Sequence, residues 1–118
     1  MKSPTQRTLA ECRKRGWPAQ VVEQTIPHTF IKRDLFGFID IIAITPTGTI
    51  GIQATSGTNH AARVTKARQQ PHFDAWLAAG RTFEVWSWAK RGERGKRKVW
   101  QLRAESVSRE TFHAGRAG

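Results

Sequence analysis

Residues 32–59 constrain the fold of this chain most, because they combine its longest apolar run with a clear turn. Residues 38–44 (FIDIIAI) are rich in Ile and Phe, a composition typical of a buried strand. Residues 45–48 (TPTG) carry proline and glycine at positions that a type I turn accepts. Residues 49–55 (TIGIQAT) indicate a second strand, so the segment is predicted to form a β-hairpin.

The register of this hairpin places two polar side chains next to each other. If Thr45 and Gly48 flank the turn, Asp40 lies directly opposite Gln53, and side chains in such a pair come within about 5 Å at their Cβ atoms. The other residues of the two strands are mainly apolar, and a buried Asp without a partner is costly. A hard cation, which prefers oxygen ligands, is one candidate for that partner.

The chain has 118 residues, with 20 Lys and Arg against 9 Asp and Glu, which gives a net charge of +11. This length predicts one domain over residues 1–118, with a frayed tail at 113–118. The charge favours a polyanionic partner, most often nucleic acid, over a basic surface that is merely solvated.

Three features that the sequence lacks indicate the cellular compartment. Cys12 is the only cysteine, which excludes a disulfide framework and a thiolate metal cluster. No signal-peptide pattern opens the sequence, and no apolar run is long enough to span a membrane. We therefore expect a cytoplasmic protein without a membrane partner.

Helices and further strands are predicted on either side of the hairpin. Residues 3–6 (SPTQ) have a capping-box pattern, which predicts a helix that ends before Gly16. Asn59 is placed to cap a second helix. Four large apolar side chains are predicted to share one face of the final hairpin, where core packing is favoured over stacking on bases: Trp86, Trp88, Trp100 and Leu102. The predicted segments are a helix to about residue 15, a strand at 19–26, a connection at 27–33, a helix at 60–70, a helix that starts at Pro71 and ends before Gly80, a strand at 82–89, a basic loop at 90–98 and a strand at 99–103.

This order of elements predicts an α/β fold, a single domain with a mixed central β-sheet flanked by helices. The helices that follow the hairpin can make a right-handed crossover, after which the next strand lies parallel to a neighbour. The acids of the central strands would then lie inside a basic rim.

Residues 37–41 (GFIDI) and 50–55 (IGIQAT) resemble the PD-(D/E)XK nuclease superfamily. They are nearest to its small Holliday-junction-resolvase-like and VRR-NUC-like members, which include phage and prophage proteins. The resemblance covers about residues 5–88 and implies a restriction-endonuclease-like fold of order αβββαβ, here with an extra C-terminal strand. It implies a Mg²⁺- or Mn²⁺-dependent endonuclease that hydrolyses phosphodiester bonds of DNA, and branched or otherwise structured DNA is one candidate substrate.

The resemblance also assigns residues to the metal site. Asp40 matches the metal-binding Asp, and Gln53 matches the second ligand position, which is Gln in some members. Glu11 and Asp34 are candidates for an additional acidic ligand. All four are therefore expected metal ligands, and Asp40 and Gln53 are also expected to be catalytic.

The lysine expected two residues after the second ligand is absent, since Thr55 occupies its position. Lys66 is the first candidate to supply the missing cation as a catalytic residue, and Arg63 and Lys32 are the alternatives. Phosphate contacts are expected from eight basic residues: Lys32, Arg33, Arg63, Lys66, Lys90, Arg91, Lys96 and Arg97. A homodimer is compatible with nucleases of this kind, although no residue pattern identifies its surface.

Several alternatives stay open at the level of the sequence. Asp40 can be a structural acid paired with Arg33 or Arg63, and Gln53 can simply hydrogen-bond its neighbours. Thr55 favours a second functional class, a non-catalytic nucleic-acid-binding protein that keeps the nuclease fold. None of the four histidines has a convincing metal-ligand spacing: His28, His60, His72 and His113.

Overall fold

The capping pattern at the start of the chain produces the first helix. In the computed structural model, which describes residues 2–109, the Gln6 N–H donates to the Ser3 hydroxyl and the Ser3 N–H donates to the Gln6 side chain. Gly16 ends the helix in the left-handed conformation, with φ at 79°. In chain order the elements are α1 (Pro4–Arg15), β1 (Ala19–Val21), β2 (Gln24–Thr25), β3 (Lys32–Arg33), β4 (Ile41–Thr45), β5 (Gly48–Ser56), a 3₁₀ turn (Gly57–Asn59), α2 (His60–Arg68), α3 (Phe73–Ala78), β6 (Thr82–Arg91) and β7 (Val99–Ser106).

Five of these strands form one mixed sheet in the order β1-β4-β5-β6-β7. β4 and β5 are the predicted hairpin, and Thr45 pairs with Gly48, so the predicted register is confirmed. β5 and β6 run parallel because α2 and α3 carry the chain back across the sheet, whereas the other neighbouring pairs are antiparallel. The α/β fold with a mixed central sheet is therefore confirmed. β2 and β3 form a separate two-stranded sheet.

Helices cover both faces of the central sheet, since side chains alternate between the faces along each strand. α1 covers the face that carries Ile50 and Ile52, and α2 and α3 cover the opposite face. Gly51 lets Ile39 and Trp76 approach β5 closely, because a Cβ at this position would lie 3.0 Å from both side chains. The core under α1 contains Cys12, Ile41, Ala43, Ile50, Ile52 and Trp86. The core on the other face contains Phe38, Ile39, Val64, Ala67, Phe73, Trp76, Phe83, Val85 and Val107.

Two predicted strands are shorter in the structure than in the prediction. The segment 19–26 breaks after Val21, and its second half belongs to the separate β2–β3 sheet. The segment 38–44 becomes a strand only at Ile41, because Phe36 and Gly37 adopt positive φ values and turn the chain. Phe38 and Ile39 are buried in that turn, and an apolar run alone does not distinguish a buried turn from a strand. The connection predicted at 27–33 is also partly wrong, since it includes β3.

The other boundaries shift by a few residues. α2 ends at Arg68, and α3 begins at Phe73 rather than at the predicted Pro71. Asn59 precedes α2 as predicted, but its side chain donates to the Ser56 hydroxyl and does not cap the helix. β6 and β7 are each longer than predicted. The predicted frayed tail at 113–118 lies outside the described residues.

Trp86, Trp88, Trp100 and Leu102 share one face of β6 and β7, as predicted. α1 packs on this face, where the Trp88 indole N–H donates to the Thr8 hydroxyl at 2.9 Å. The Arg7 guanidinium lies 3.8 Å from the centre of the Trp100 ring. Trp86 and Trp88 are therefore core residues, whereas Trp100 stays 37% exposed.

Among the described residues, no helix has the length and apolar character needed to cross a membrane. Cys12 is buried, and this burial raises the pKa of its thiol. Because the thiolate is the reactive form, Cys12 is a core residue and not a nucleophile.

Candidate metal centre

Asp40 and Gln53 lie side by side, as the hairpin register predicts. Asp40 directly precedes β4 and is only 4% exposed. The Gln53 side-chain amide donates to Asp40 Oδ2 at 2.8 Å. The Ala54 backbone N–H donates to the same carboxylate at 3.2 and 3.3 Å. The Gln53 amide oxygen accepts no hydrogen bond within residues 2–109, so it remains available as a ligand.

A tight turn brings Asp34 to the same carboxylate. Leu35 and Ile39 exchange two backbone hydrogen bonds of 2.7 and 3.0 Å, which pairs them in antiparallel register. Gly37 closes the turn at φ 84°, a conformation that glycine adopts without steric cost, and its N–H donates to the Asp34 carbonyl. In the same antiparallel register, the residue before Leu35 faces the residue after Ile39, so Asp34 lies opposite Asp40. Asp34 was one of the two expected additional ligands.

Glu23 reaches the site from β1, and the sequence analysis missed it. β1 pairs with β4, and just beyond this pairing the Val22 N–H donates to the Asp40 carbonyl at 2.9 Å. The chain then leaves the central sheet, so Glu23 lies at the entrance to the β2–β3 sheet and beside Asp40. The single strand predicted over residues 19–26 therefore did not indicate that Glu23 lies beside Asp40.

The ligand oxygens of Glu23, Asp34 and Asp40 all lie within 4.8 Å of one another. We call this set the acid cluster. Burial raises the pKa of Asp40 from 3.8 to about 7, and the neighbouring charges of Asp34 and Glu23 act in the same direction. The hydrogen bonds from Ala54 and Gln53 favour the ionised form and oppose this shift. Asp40 is thus an electrostatically strained carboxylate whose ionised form requires compensation.

The donor set of the acid cluster fits a hard divalent cation. Carboxylate and amide oxygens are the ligands that Mg²⁺ prefers, and Mg²⁺ usually keeps several waters, so the half-buried Glu23 and Asp34 leave room for them. Glu11 lies outside the acid cluster and forms an ion pair with Arg15 on α1. The alternative pairing of Asp40 with an arginine is wrong for residues 2–109, among which Asp40 has no ion pair.

The three basic residues considered as the missing catalytic cation differ in whether they contact the acid cluster. The Lys32 ammonium lies 4.0 Å from a Glu23 carboxylate oxygen. Lys66 is exposed on α2, whose buried side carries Val64 and Ala67. Within the described residues, neither an ion pair nor a hydrogen bond joins Lys66 to the acid cluster. Of the three cations considered from the sequence, Lys32 is the one that the structure brings to the cluster; Arg63, like Lys66, is carried on α2.

A second buried polar group was also missed by the sequence analysis. His60 Nδ1 lies 2.6 Å from the Ser87 hydroxyl, and His60 Nε2 lies 2.8 Å from a Glu105 carboxylate oxygen. His60 and Ser87 are each only 2% exposed. A hydroxyl closed off in this way cannot reach a substrate, so the group is not a nucleophilic triad. It joins α2 to β6 and β7, and the only sequence feature that points to it is a serine inside an apolar strand.

Basic residues project beyond the end of the sheet at which Asp40 lies. At this end β1, β5 and β6 finish and β4 and β7 begin, as the strand pairing requires. The β2–β3 arm (residues 24–33) connects β1 to β4 at one edge of the central sheet, and the β6–β7 arm (residues 90–99) connects β6 to β7 at the other edge. A groove of about 400 Å³ lies at the base of the β6–β7 arm and is lined by Ser56, Gly57, Thr58, Trp88, Ala89, Lys90, Arg91 and Trp100.

The predicted phosphate contacts fall on three elements. Lys32 and Arg33 are exposed on the β2–β3 arm. Lys90, Arg91, Lys96 and Arg97 are exposed on the β6–β7 arm. Arg63 and Lys66 lie on α2, with Lys66 exposed and Arg63 half-buried. The two arms therefore carry six of the eight residues.

Comparisons with known proteins add no assignment to this geometry. No protein-family model matches the chain, and no curated protein or solved structure matches it at a significant level. The functional argument therefore rests on the residues of the chain itself.

Proposed function

We propose that this protein is a metal-dependent endonuclease that hydrolyses phosphodiester bonds of DNA at the acid cluster. The single observation that carries this proposal is the convergence of Glu23, Asp34 and Asp40 within 4.8 Å in a chain of net charge +11. Three carboxylates repel one another, and the only ion pair that any of them forms among residues 2–109 joins Glu23 to Lys32 at 4.0 Å. A divalent cation would compensate this arrangement and would also attract a phosphate.

In this proposal, each side chain at the acid cluster has a role that follows from its position. Asp40, Asp34 and Glu23 would hold the cation, with the Gln53 amide oxygen as a further ligand. Such a cation, when bound, lowers the pKa of a bound water and stabilises the charge that develops on phosphorus. The hydrogen bonds from Gln53 and Ala54 fix the orientation of the Asp40 carboxylate. Lys32 is placed to bind a phosphate oxygen or to orient water beside the cluster.

DNA is the polyanion that best fits the surface around the acid cluster. The β2–β3 arm and the β6–β7 arm carry exposed cations at the two edges of the central sheet, so a DNA strand lying across the sheet end could be neutralised by both arms. Contacts of this kind release condensed counterions, which makes binding strong at low salt and weak at high salt. The groove at the base of the β6–β7 arm adds hydroxyls and an exposed Trp100 ring, and both kinds of group bind nucleic acids.

A non-catalytic nucleic-acid-binding protein is the second candidate function. It is favoured by Thr55, which is buried on β5 at the position where the nucleases that this sequence resembles carry lysine. The two candidates share the basic arms and differ only in what the acid cluster does. A cleavage assay therefore separates them directly.

Nicking of supercoiled plasmid and of forked DNA is expected in Mg²⁺ or Mn²⁺ and not in EDTA. Asp34→Asn should lower the nicking rate about tenfold or more and raise the metal concentration needed, because it removes one charged ligand. Glu11→Gln is the matched control, since Glu11 is an acid outside the acid cluster, and it should nick like the wild type. Absence of nicking in every metal, with DNA binding intact, would favour the second candidate function.

Lys32→Ala should reduce nicking about 10- to 100-fold while weakening DNA binding no more than a few fold, because Lys32 lies beside the acid cluster. Lys66→Ala should reduce nicking and binding by similar small factors, since an exposed helix cation acts mainly as a phosphate contact. The measurement is a single-turnover nicking rate beside an equilibrium binding curve for each variant. A large, selective loss of nicking in Lys66→Ala would instead assign the missing cation to Lys66.

A further inference from the structure

The tip of the β2–β3 arm is ordered by its own hydrogen bonds. The Ile26 N–H donates to the Ile31 carbonyl at 2.8 Å, and the Thr29 N–H donates to the Ile26 carbonyl at 3.2 Å. The Thr29 hydroxyl donates to the Ile26 carbonyl and accepts from the Ile31 N–H. His28 turns the chain at φ 64°. These hydrogen bonds fix the conformation of the turn, and the residues between Ile26 and Ile31 are exposed to solvent.

Phe30 is the residue that this turn displays. Its side chain is fully exposed, and the neighbouring Ile31 is 60% exposed. Because a ring that stays in water buries no apolar surface, it contributes little to the stability of the fold. Lys32 and Arg33, both exposed, follow directly on the same arm. An apolar ring at the tip with two cations behind it matches a nucleic-acid strand, which offers base faces and phosphates.

The arm is attached to the acid cluster at both of its ends. Glu23 directly precedes β2, and Asp34 directly follows β3. An extended strand rises about 3.3 Å per residue, so Phe30, three residues before Arg33, lies about 10 Å from the base of the arm. Stacked bases are spaced by about 3.4 Å, so this reach corresponds to about three nucleotides.

We propose that Phe30 stacks on an unpaired or unstacked base about one to three nucleotides from the phosphate at the acid cluster. This inference rests on the proposed function for the position of that phosphate. In continuous duplex DNA both faces of each base are covered by its neighbours, and inserting a side chain requires unstacking. A fork, bulge or junction already exposes a base face. Stacking by Phe30 therefore favours DNA in which such a base face is already open.

The test measures binding in EDTA, so that it does not depend on cleavage. The probes are a DNA fork carrying 2-aminopurine at the branch and a linear duplex of the same sequence with 2-aminopurine in a paired position. We expect the wild type to bind the fork about tenfold more tightly than the duplex and to quench 2-aminopurine only in the fork, a preference that matches one stacking contact. Phe30→Ala should lose about tenfold in fork affinity and the quenching, and should change duplex affinity less than about twofold. Phe30→Trp should retain both properties.

Ile44→Ala is the matched control, because Ile44 is an exposed apolar residue of β4 near the β4–β5 turn, at the opposite end of the sheet. It should bind both DNAs like the wild type. Equal losses on fork and duplex in Phe30→Ala, or no loss on either, would overturn the inference. A wild-type dimer in sedimentation that Phe30→Ala converts to a monomer would overturn it as well, since a second copy would then cover the ring. Fork-selective quenching without any nicking would retain the inference and reject the proposed function.

Discussion

Asp40→Asn is expected to reduce metal-dependent nicking on the order of 10³-fold, because it removes the most buried charge of the acid cluster. The substitution is nearly isosteric. The asparagine oxygen can still accept from the Ala54 N–H, and the Gln53 amide can rotate so that its oxygen accepts from the new NH₂ group. The fold and the basic arms should therefore persist, and DNA affinity in EDTA should not fall.

The same variant should be more stable than the wild type at pH 8 without metal. Within residues 2–109 no cation pairs with Asp40, and two other carboxylates lie beside it, so asparagine relieves repulsion and a desolvated charge. The matched control is Asp74→Asn, which changes an exposed acid of α3 that pairs with Arg109. It should keep full nicking activity and change stability by less than about 1 kcal/mol.

Thermal unfolding in EDTA and a nicking assay on one preparation of each variant provide both measurements. Unchanged nicking in Asp40→Asn would reject the metal assignment. A lower melting temperature than the wild type at pH 8 would show that the Asp40 carboxylate is stabilised by a partner and would contradict the electrostatic account of the acid cluster.

Without metal, the wild type is expected to lose stability as the pH rises from about 4 to about 7. Burial raises the pKa of Asp40 to about 7 in the folded protein from 3.8, the ordinary value that applies to the unfolded chain, so the folded state binds the proton more tightly. Below pH 4 both states are protonated, and the folded state bears no penalty from this group. Between the two values the unfolded state ionises first, so the free energy of unfolding falls by about 1.4 kcal/mol per pH unit, in total about 4 kcal/mol. Above pH 7 the penalty is complete and constant.

Urea unfolding in EDTA across this pH range measures the effect, and Asp40→Asn provides the baseline for all other groups. The difference between the two proteins should show the slope, since the variant lacks the titrating carboxyl. Added Mg²⁺ should stabilise the wild type more at pH 8 than at pH 5, because a cation favours the ionised carboxylate. Parallel profiles for wild type and variant would mean that the pKa of Asp40 is not raised on folding.

Local sequence patterns predicted the parts of the fold that local interactions control. The capping box at Ser3 and the glycine at Gly16 set the two ends of α1, because both act within one turn of helix. The turn from Thr45 to Gly48 set the register of the β4–β5 hairpin, since a short loop fixes which residues face each other. That register alone was enough to place Asp40 beside Gln53.

Patterns of hydrophobicity were less reliable where a chain turns inside the core. Phe38 and Ile39 are as buried as strand residues, and nothing in their side chains marks them as part of a turn. The break after Val21 also has no signal in the sequence, because residues 19–26 satisfy a weak strand pattern throughout. Both errors had the same consequence: the prediction missed that the residues between Val21 and Ile41 leave the central sheet to form the β2–β3 arm.

The sequence by itself determined one half of the candidate site, the Asp40–Gln53 pair, together with the α/β fold and the basic charge. Only the tertiary structure decided which acids join that pair and which cation lies beside them. Glu23 is 17 residues from Asp40 along the chain, and it approaches because β1 pairs with β4; the His60–Ser87–Glu105 group likewise depends on α2 docking on β6 and β7. Contacts of this kind arise from strand pairing and packing between distant segments, whose energy is not contained in any local pattern of residues.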